Sequence, residues 1–218
     1  MSTYFFTLRA YTRQLQAVQE ARTALSNQLH AAQLTMYRVK LVERQLAKLV
    51  RTMDADIAKL QAAIDSHIKS DPGVAARAEK MRTIKGVGAT TVAVLLAETN
   101  GFALFGNTAQ LVSYAGYDVV ENQSGKRAGK TRISKKGNAR IRRLLFMPAL
   151  NMVTYHVKPF EDLYSRVNER TRIKMKGYVA VQKKLLVVLY TLWKKNEAFK
   201  TNGETEQVPS SRLAQQEP

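Results

Sequence analysis

The residues in this chain whose types could do chemistry are two serines, Ser124 and Ser134, set in the run ENQSGKRAGKTRISKKGNARIRR from Glu121 to Arg143. Between Ser124 and Arg143 there are nine Lys or Arg residues, three glycines (Gly125, Gly129 and Gly137) and no carboxylate. A serine hydroxyl becomes a useful nucleophile once it is aligned and activated. If its target is a phosphodiester, attack concentrates negative charge on the phosphorus oxygens, which fixed guanidinium and ammonium groups must receive. Lys126, Arg127, Arg132 and Arg140 are spaced to supply that charge, and Gly125 lets the backbone at Ser124 approach a target closely. Glu121 is the nearest acid, so no general base is evident beside either serine. A serine in a basic loop serves equally well as a hydrogen-bond donor to phosphate, and the residues alone leave both roles open.

Composition narrows the partner. The 218-residue chain carries 35 Lys and Arg against 17 Asp and Glu, a formal net charge of +18. Self-repulsion of that size costs stability unless a polyanion relieves it, and dense phosphate is the best match to a carboxylate-free basic run. The absence of cysteine excludes disulfides, thiolate zinc sites and a cysteine nucleophile. His30, His67 and His156 show no metal-ligand spacing, so no metal site is expected in this chain. The N-terminus lacks a signal-peptide pattern, and the run Leu185 to Trp193 is too short to cross a membrane. A soluble, intracellular protein without membrane contact is the expectation.

The elements that must position the loop are helical, and the fold class expected is mainly α. Residues 1–70 read as a long helical hairpin or coiled-coil spacer, free of Gly and Pro from Thr12 to Ser70. It is expected to bend between His30 and Val39 and offers a surface for homo-oligomer formation. Leu15, Val18, Leu25 and Leu29 stripe its first arm. Leu46, Leu49, Met53, Ile57, Leu60, Ile64 and Ile68 give the second an eleven-residue period, hence a straight or slightly right-handed seam. Asp54 and Asp56, two apart, point to different faces and read as solvated surface. Residues 71–196 read as a compact helical domain. Its turn Gly86-Val87-Gly88, beside Lys85, resembles a helix-hairpin-helix, whose glycines let backbone N–H groups reach a phosphate; plain helix packing is the alternative. Phe102, Leu104 and Phe105 form an apolar knot, and Asn107 caps a helix through Ser113. Asp118–Glu121 and Lys130–Ser134 are expected to pair as a short hairpin around the basic loop. A helix from Asn138 faces Ile141, Leu144, Leu145, Met147, Leu150 and Val153 inward, with Pro148 inside it. Another runs from about Pro159 to Arg172, and Gly177 separates it from a last helix, Tyr178 to Lys195. Residues 197–218 read as a disordered tail.

Taken in order, IKGVGATTVAVLLAE, FGNTAQLVSYAGY, QSG, RISKKGNARIRRLLF and GYVAVQKKLLVVLYTLW resemble the C-terminal transposase domain of the insertion-sequence-110 family, the Piv/MooV or DEDD transposases. The resemblance runs from about Arg9 to Trp193. Where that family has Gly-Leu-x-Pro, this chain has Gly116-Tyr117-Asp118-Val119. The resemblance implies DNA transposition and recombination through an essential serine, which maps onto Ser124, with Ser134 as runner-up. It also implies an N-terminal RuvC-like domain whose Asp-Glu-Asp-Asp tetrad holds a divalent metal such as Mg, and a bridge RNA that guides target choice. No Asp or Glu precedes Glu20, so the expectation is a truncated or split transposase, inactive alone and without a cofactor of its own. The expected nucleic-acid contacts are Lys85, Gly86, Gly88, Lys126, Arg127, Lys130, Arg132, Lys135, Lys136, Arg140 and Arg143. A non-catalytic DNA- or RNA-binding module using the same residues is the competing reading.

Overall fold

In the computed structural model the described residues are 2–120, the backbone of 123–124 and 127–128, and 132–199. They form eight helices and two short antiparallel strand pairs, a mainly α fold as expected. Helix α1 (Thr3–Leu34) starts where the Ser2 hydroxyl accepts the Phe5 N–H and runs to a break at residues 35–39. There the Thr35 hydroxyl donates to the Ala32 carbonyl at 2.8 Å, a side-chain bond that competes with helix continuation. Helix α2 (Lys40–Lys69) returns antiparallel. Tyr4, at the start of α1, donates to the His67 carbonyl at 2.9 Å and stacks on its ring, while Arg22 pairs with Asp54. Burial beside Asp71 pushes the Tyr4 phenol up to about 12.

Asp71 caps α3 (Pro72–Arg82), accepting from Gly73 N–H at 2.9 Å and Val74 N–H at 3.1 Å, with proline preset at the first helical position. Helix α4 (Ala89–Thr99) is the most apolar and is buried along nearly its whole length. Helix α5 (Thr108–Tyr114) follows, capped by Asn107, which accepts from Gln110 N–H at 2.9 Å. Strands β1 (Val119–Val120) and β4 (Arg132–Ile133) pair antiparallel, as do β2 (Gln123–Ser124) and β3 (Arg127–Ala128) between them. The expected hairpin is therefore present; Glu121 and Lys130 lie outside the described residues. Helices α6 (Ala139–Thr154), α7 (Lys158–Thr171) and α8 (Lys174–Lys195) complete the body. No helix among the described residues is long and apolar enough to cross a membrane.

One continuous core joins α1 to the rest: Leu8 and Leu15 are packed with Met81, Leu95, Leu96, Ile141, Leu145 and Leu185. Several side chains depart from the expected faces. On α2, Leu49 is 45% exposed, and its neighbour Val50 is the half-buried one instead. The half-buried and buried series Leu46, Val50, Met53, Ile57, Leu60, Ile64, Ile68 then steps 4, 3, 4, 3, 4, 4: heptad spacing in the first half of α2, and the expected 3, 4, 4 spacing from Ile57 to Ile68. Met147 is exposed, while Pro148, Ala149 and Met152 are buried; Leu104 is exposed, whereas Phe102 and Phe105 are buried. Gly177 does not separate two helices. It lies inside α8, where a Cβ would come within 2.6 Å of the Tyr164 ring, so it is the point of closest approach of α7 and α8. Residues 196–199 fold back on the body: Phe199 N–H donates to Thr83 Oγ1 at 2.9 Å and its ring meets Phe160. The remainder of the expected tail, residues 200–218, is outside the described residues.

Truncation tests this arrangement. Leu8→Ala is expected to cost about 2–5 kcal/mol in the single unfolding transition of the body. Leu49→Ala is expected to stay within about 0.5 kcal/mol, and Val50→Ala to cost more than Leu49→Ala, as read by urea denaturation.

Candidate functional site: a basic loop on a clamped base

The loop leaves α5 at Tyr114 and re-enters the body at Asn138, and the two ends are tied together. Asn138 N–H donates to the Tyr114 carbonyl at 2.7 Å, Lys135 N–H to Gly116 at 3.2 Å, and Ser134 N–H to Asp118 at 2.7 Å. Arg142, one turn into α6, donates to the carbonyls of Ala115 at 2.8 Å and Lys135 at 3.1 Å, bridging both strands of the base. Gly137 has φ +134°, and a Cβ there would run into the Tyr114 carbonyl. Only glycine permits the strands to close this tightly.

Beneath the base lies a buried carboxylate. The Glu98 side chain is 1% exposed, yet both oxygens are engaged: Arg13 Nε at 2.9 Å, Arg13 Nη2 at 3.1 Å and Asn138 Nδ2 at 2.9 Å. Asn138 simultaneously caps α6, its Oδ1 accepting from Arg140 and Ile141 N–H. Tyr114 donates to the Glu98 carbonyl at 3.2 Å, and Arg9 donates to the carbonyls of Ala97 and Glu98. Burial alone would raise the Glu98 carboxyl. The hydrogen bonds from Arg13 and Asn138 and the charges of Arg13 and Arg9 outweigh it and hold the carboxyl below its ordinary value. In contrast, burial pushes the Tyr117 phenol well up; its hydroxyl donates to Gln182 at 2.9 Å and fixes the loop entry to α8.

The structure divides the expected contacts among three places. Ser124 and Arg127 are register partners in the β2–β3 pair. Arg132, Lys135 and Lys136 are exposed at the clamped base, and Ser134 is half-buried there with its amide held by Asp118. Lys126 and Lys130 lie outside the described residues, as do the side chains of Ser124 and Arg127. Arg140 and Arg143 reach across to α1, donating to Gln16 and Glu20, and Gln16 in turn donates to Glu20 at 2.8 Å. Gly86 and Lys85 sit elsewhere. Gly86 (φ +96°) faces Asn151 and Pro148 of α6, and the Lys85 ammonium is 5.2 Å from the centroid of the Tyr155 ring. Along α6, Asn138 and Asn151 are about 20 Å apart at 1.5 Å per residue, so the glycine turn and the basic loop are not brought together. Gly88 caps α4 with no side-chain bond, is exposed, and has open space where a Cβ would be. Packing therefore does not demand glycine there.

Sequence reasoning missed Glu98, Arg9, Arg13, Asn138 and Arg142 as the frame of the site. The available signal was Glu98 itself, a single acid at the end of the apolar run ATTVAVLLAET, since a charge in such a run must be paired. Asp54 and Asp56 are half-exposed and paired with Arg22 and Lys59. Among the described residues no three His, Asp or Glu side chains converge as metal ligands.

Fold and site together define a helical domain that closes a basic loop onto one end of a central helix. Residues 78–165, which include Glu98, the basic loop and Asn138, match the model of the Transposase IS116/IS110/IS902 family. The chain is 28% identical over 151 residues to a Pilin gene-inverting protein of Moraxella bovis, covering 69% of this chain and 47% of that relative. The same identity and coverage hold for the Pilin gene-inverting protein of Moraxella lacunata. It is 26% identical over 110 residues to a Probable family 20 transposase of Pseudomonas aeruginosa, 50% of this chain and 31% of that one. The chain thus matches about half or less of the length of these curated relatives.

The clamp makes a stability prediction. Glu98→Gln leaves Arg13 without its charge partner; since the Arg13 side chain is 47% exposed, the cost is expected to be modest for a buried pair, about 1–3 kcal/mol at pH 7. Because the folded carboxyl is held low, its contribution is present above the unfolded-state value of about 4.3 and is lost as pH falls through the folded one. Thermal melts from pH 7 to pH 3 are expected to show a smaller acid-induced drop in the variant than in the parent chain.

Proposed function

We propose that this chain is the serine-bearing, DNA-engaging part of a transposase-type recombinase, with Ser124 as nucleophile. The observation that carries the reading is the family match over a segment whose one acid-free basic loop contains Ser124 in register with Arg127 on a rigidly closed base. In the step proposed, the Ser124 Oγ–P bond forms as one P–O ester bond of DNA breaks. The serine proton passes to the departing sugar oxygen, and the ester linkage conserves the bond energy for rejoining. Arg132 and the other exposed cations of the base offset the charge that builds on phosphorus. The start of α4, where exposed Gly88 makes no side-chain cap bond, and neighbouring Lys85 support a second, sequence-independent phosphate grip.

The finer parts of this reading follow from the resemblance. The recombinase is of the Asp-Glu-Asp-Asp type, and its acidic metal-binding domain works with this one from the same or a separate polypeptide. A guiding RNA joins the assembly, and the α1–α2 arm supports self-association. The competing reading, a binding module without chemistry, shares the phosphate contacts and differs at the serine.

Incubation with a cognate acidic domain, guide RNA and labelled DNA, followed by denaturing electrophoresis, separates the two. A covalent protein–DNA adduct is expected from the parent chain and none from Ser124→Ala, while Ser134→Ala retains it. An adduct that survives Ser124→Ala and disappears with Ser134→Ala moves the nucleophile to Ser134; no adduct from any form leaves the binding module.

A further inference from the structure

A second cationic surface lies outside every segment considered so far. Residues 166–176, at the end of α7 and the start of α8, carry Arg166, Arg170, Arg172, Lys174 and Lys176 against the single acid Glu169. All five cations are exposed, and none takes part in an ion pair among the described residues. Elsewhere several of the described acids are drawn into pairs, among them Glu20, Glu43, Asp54, Glu79 and Glu98.

This turn is ordered. Arg172 N–H closes α7 on the Asn168 carbonyl at 2.7 Å, Ile173 N–H meets Thr171 Oγ1 at 3.4 Å, and Lys176 N–H meets the Ile173 carbonyl at 3.0 Å. Below it, Gly177 seats against Tyr164, and the Tyr164 and Tyr178 rings lie 4.7 Å apart. The Phe146 ring of α6 is 6.4 Å from Tyr178, which sets the register between α6 and α8. Further along, Lys184 of α8 donates to the carbonyl of Pro159, just past the end of α6, so α6 and α8 run in the same direction. Arg142 precedes Phe146 by one turn, and Lys174 precedes Tyr178 by one turn, so the two stand at about the same level. Arg142 holds the Lys135 carbonyl at the loop base. The α7–α8 turn and the basic loop therefore project from the same end of α6, on two different connections.

We propose that the α7–α8 turn, through Arg170, Arg172, Lys174 and Lys176, is a second contact for the phosphate backbone of the DNA duplex handled by the loop. The inference rests on the reading of the chain as DNA-engaging. Its force is charge complementarity: exposed, unpaired cations on a fixed turn displace condensed counterions when they meet phosphate. The turn holds the duplex against the body while the loop presents the serine, which is positioning without base reading.

The test uses the full chain and a fluorescein-labelled duplex of about 30 bp and arbitrary sequence, with anisotropy titrations across a salt series. Replacing Arg170, Arg172, Lys174 and Lys176 together by Gln is expected to lower the slope of log K against log salt by about three. The same replacement is expected to weaken binding at least about tenfold near 100 mM salt. Replacing Lys40, Arg44, Lys48 and Arg51 on α2 removes the same charge far from the loop and is expected to leave the slope unchanged. Arg132→Gln with Lys135→Gln is expected to lower it by about two. Acetylation of the unaltered chain supplies a readout independent of folding: the duplex is expected to protect Lys174 and Lys176 from an amine-acetylating reagent.

An unchanged slope in the α7–α8 variant, with weakened binding in the loop variant, overturns this inference alone. Equal loss in the α2 variant also overturns it, by reducing the effect to net charge. Absence of salt-dependent duplex binding by the parent chain overturns the underlying reading together with it.

Discussion

The structure turns on one buried charge. Glu98 sits at the C-terminal end of the most apolar helix, and a carboxylate there without partners would be far too costly to ionise. Arg13 from α1 and Asn138 from the mouth of the basic loop supply the partners. Asn138 is at once a ligand of that carboxylate and the cap of α6, so the direction of α6 is set by the charge that α4 must neutralise. The same interaction draws in α1, whose Leu8 and Leu15 are then buried in the common core. Three elements far apart in sequence are oriented by one requirement, the pairing of a single acid.

The loop inherits its geometry from this frame. A segment with nine cations and no acid over twenty residues cannot hold itself together, because its members repel one another and have little apolar surface to bury. What it can have is fixed ends. Arg142 spends its guanidinium on two backbone carbonyls, neutral acceptors that leave the positive field in place. Arg140 and Arg143 are turned toward Gln16 and Glu20 of α1, which relieves repulsion at the first turn of α6. The cations left facing outward, Arg132, Lys135 and Lys136, stand on backbone that is hydrogen-bonded across the base.

Much of this was legible in the sequence, and the failures share a cause. Helix existence, the break before α2, the Asn107 cap and the hairpin around the loop follow from local propensity and capping chemistry, which do not depend on distant partners. The faces of helices do depend on them. Leu49 and Val50 are adjacent and both apolar, so periodicity alone cannot choose which one meets α1. Met147 and Met152 compete in the same way on α6, and Gly177 looks like a breaker until Tyr164 is placed beside it. Arg140, Arg142 and Arg143 form one cluster in sequence but serve two different places, because which way an arginine points is decided by acceptors on α1 and at the loop base. The Glu98 frame was hidden for the same reason: its partners lie 85 and 40 positions away.

The distribution of carboxylates explains why the positive field is one-sided. Most acids from Glu20 to Glu98 on the helical arm and α3–α4 have cationic partners, whereas none occurs from Asn122 to Phe160 or from Arg170 to Asn196. Those two acid-free stretches are separate in the chain, yet the parallel packing of α6 and α8 brings their leading ends to one end of the body. Uncompensated charge is costly to gather unless an external anion offsets it, and the fold could have dispersed it by reversing either helix. Instead, the aromatic contacts of Phe146, Tyr164 and Tyr178 hold the second basic turn beside the first. Apolar packing here stabilises an arrangement that electrostatics within the chain opposes, an opposition that a bound polyanion would offset.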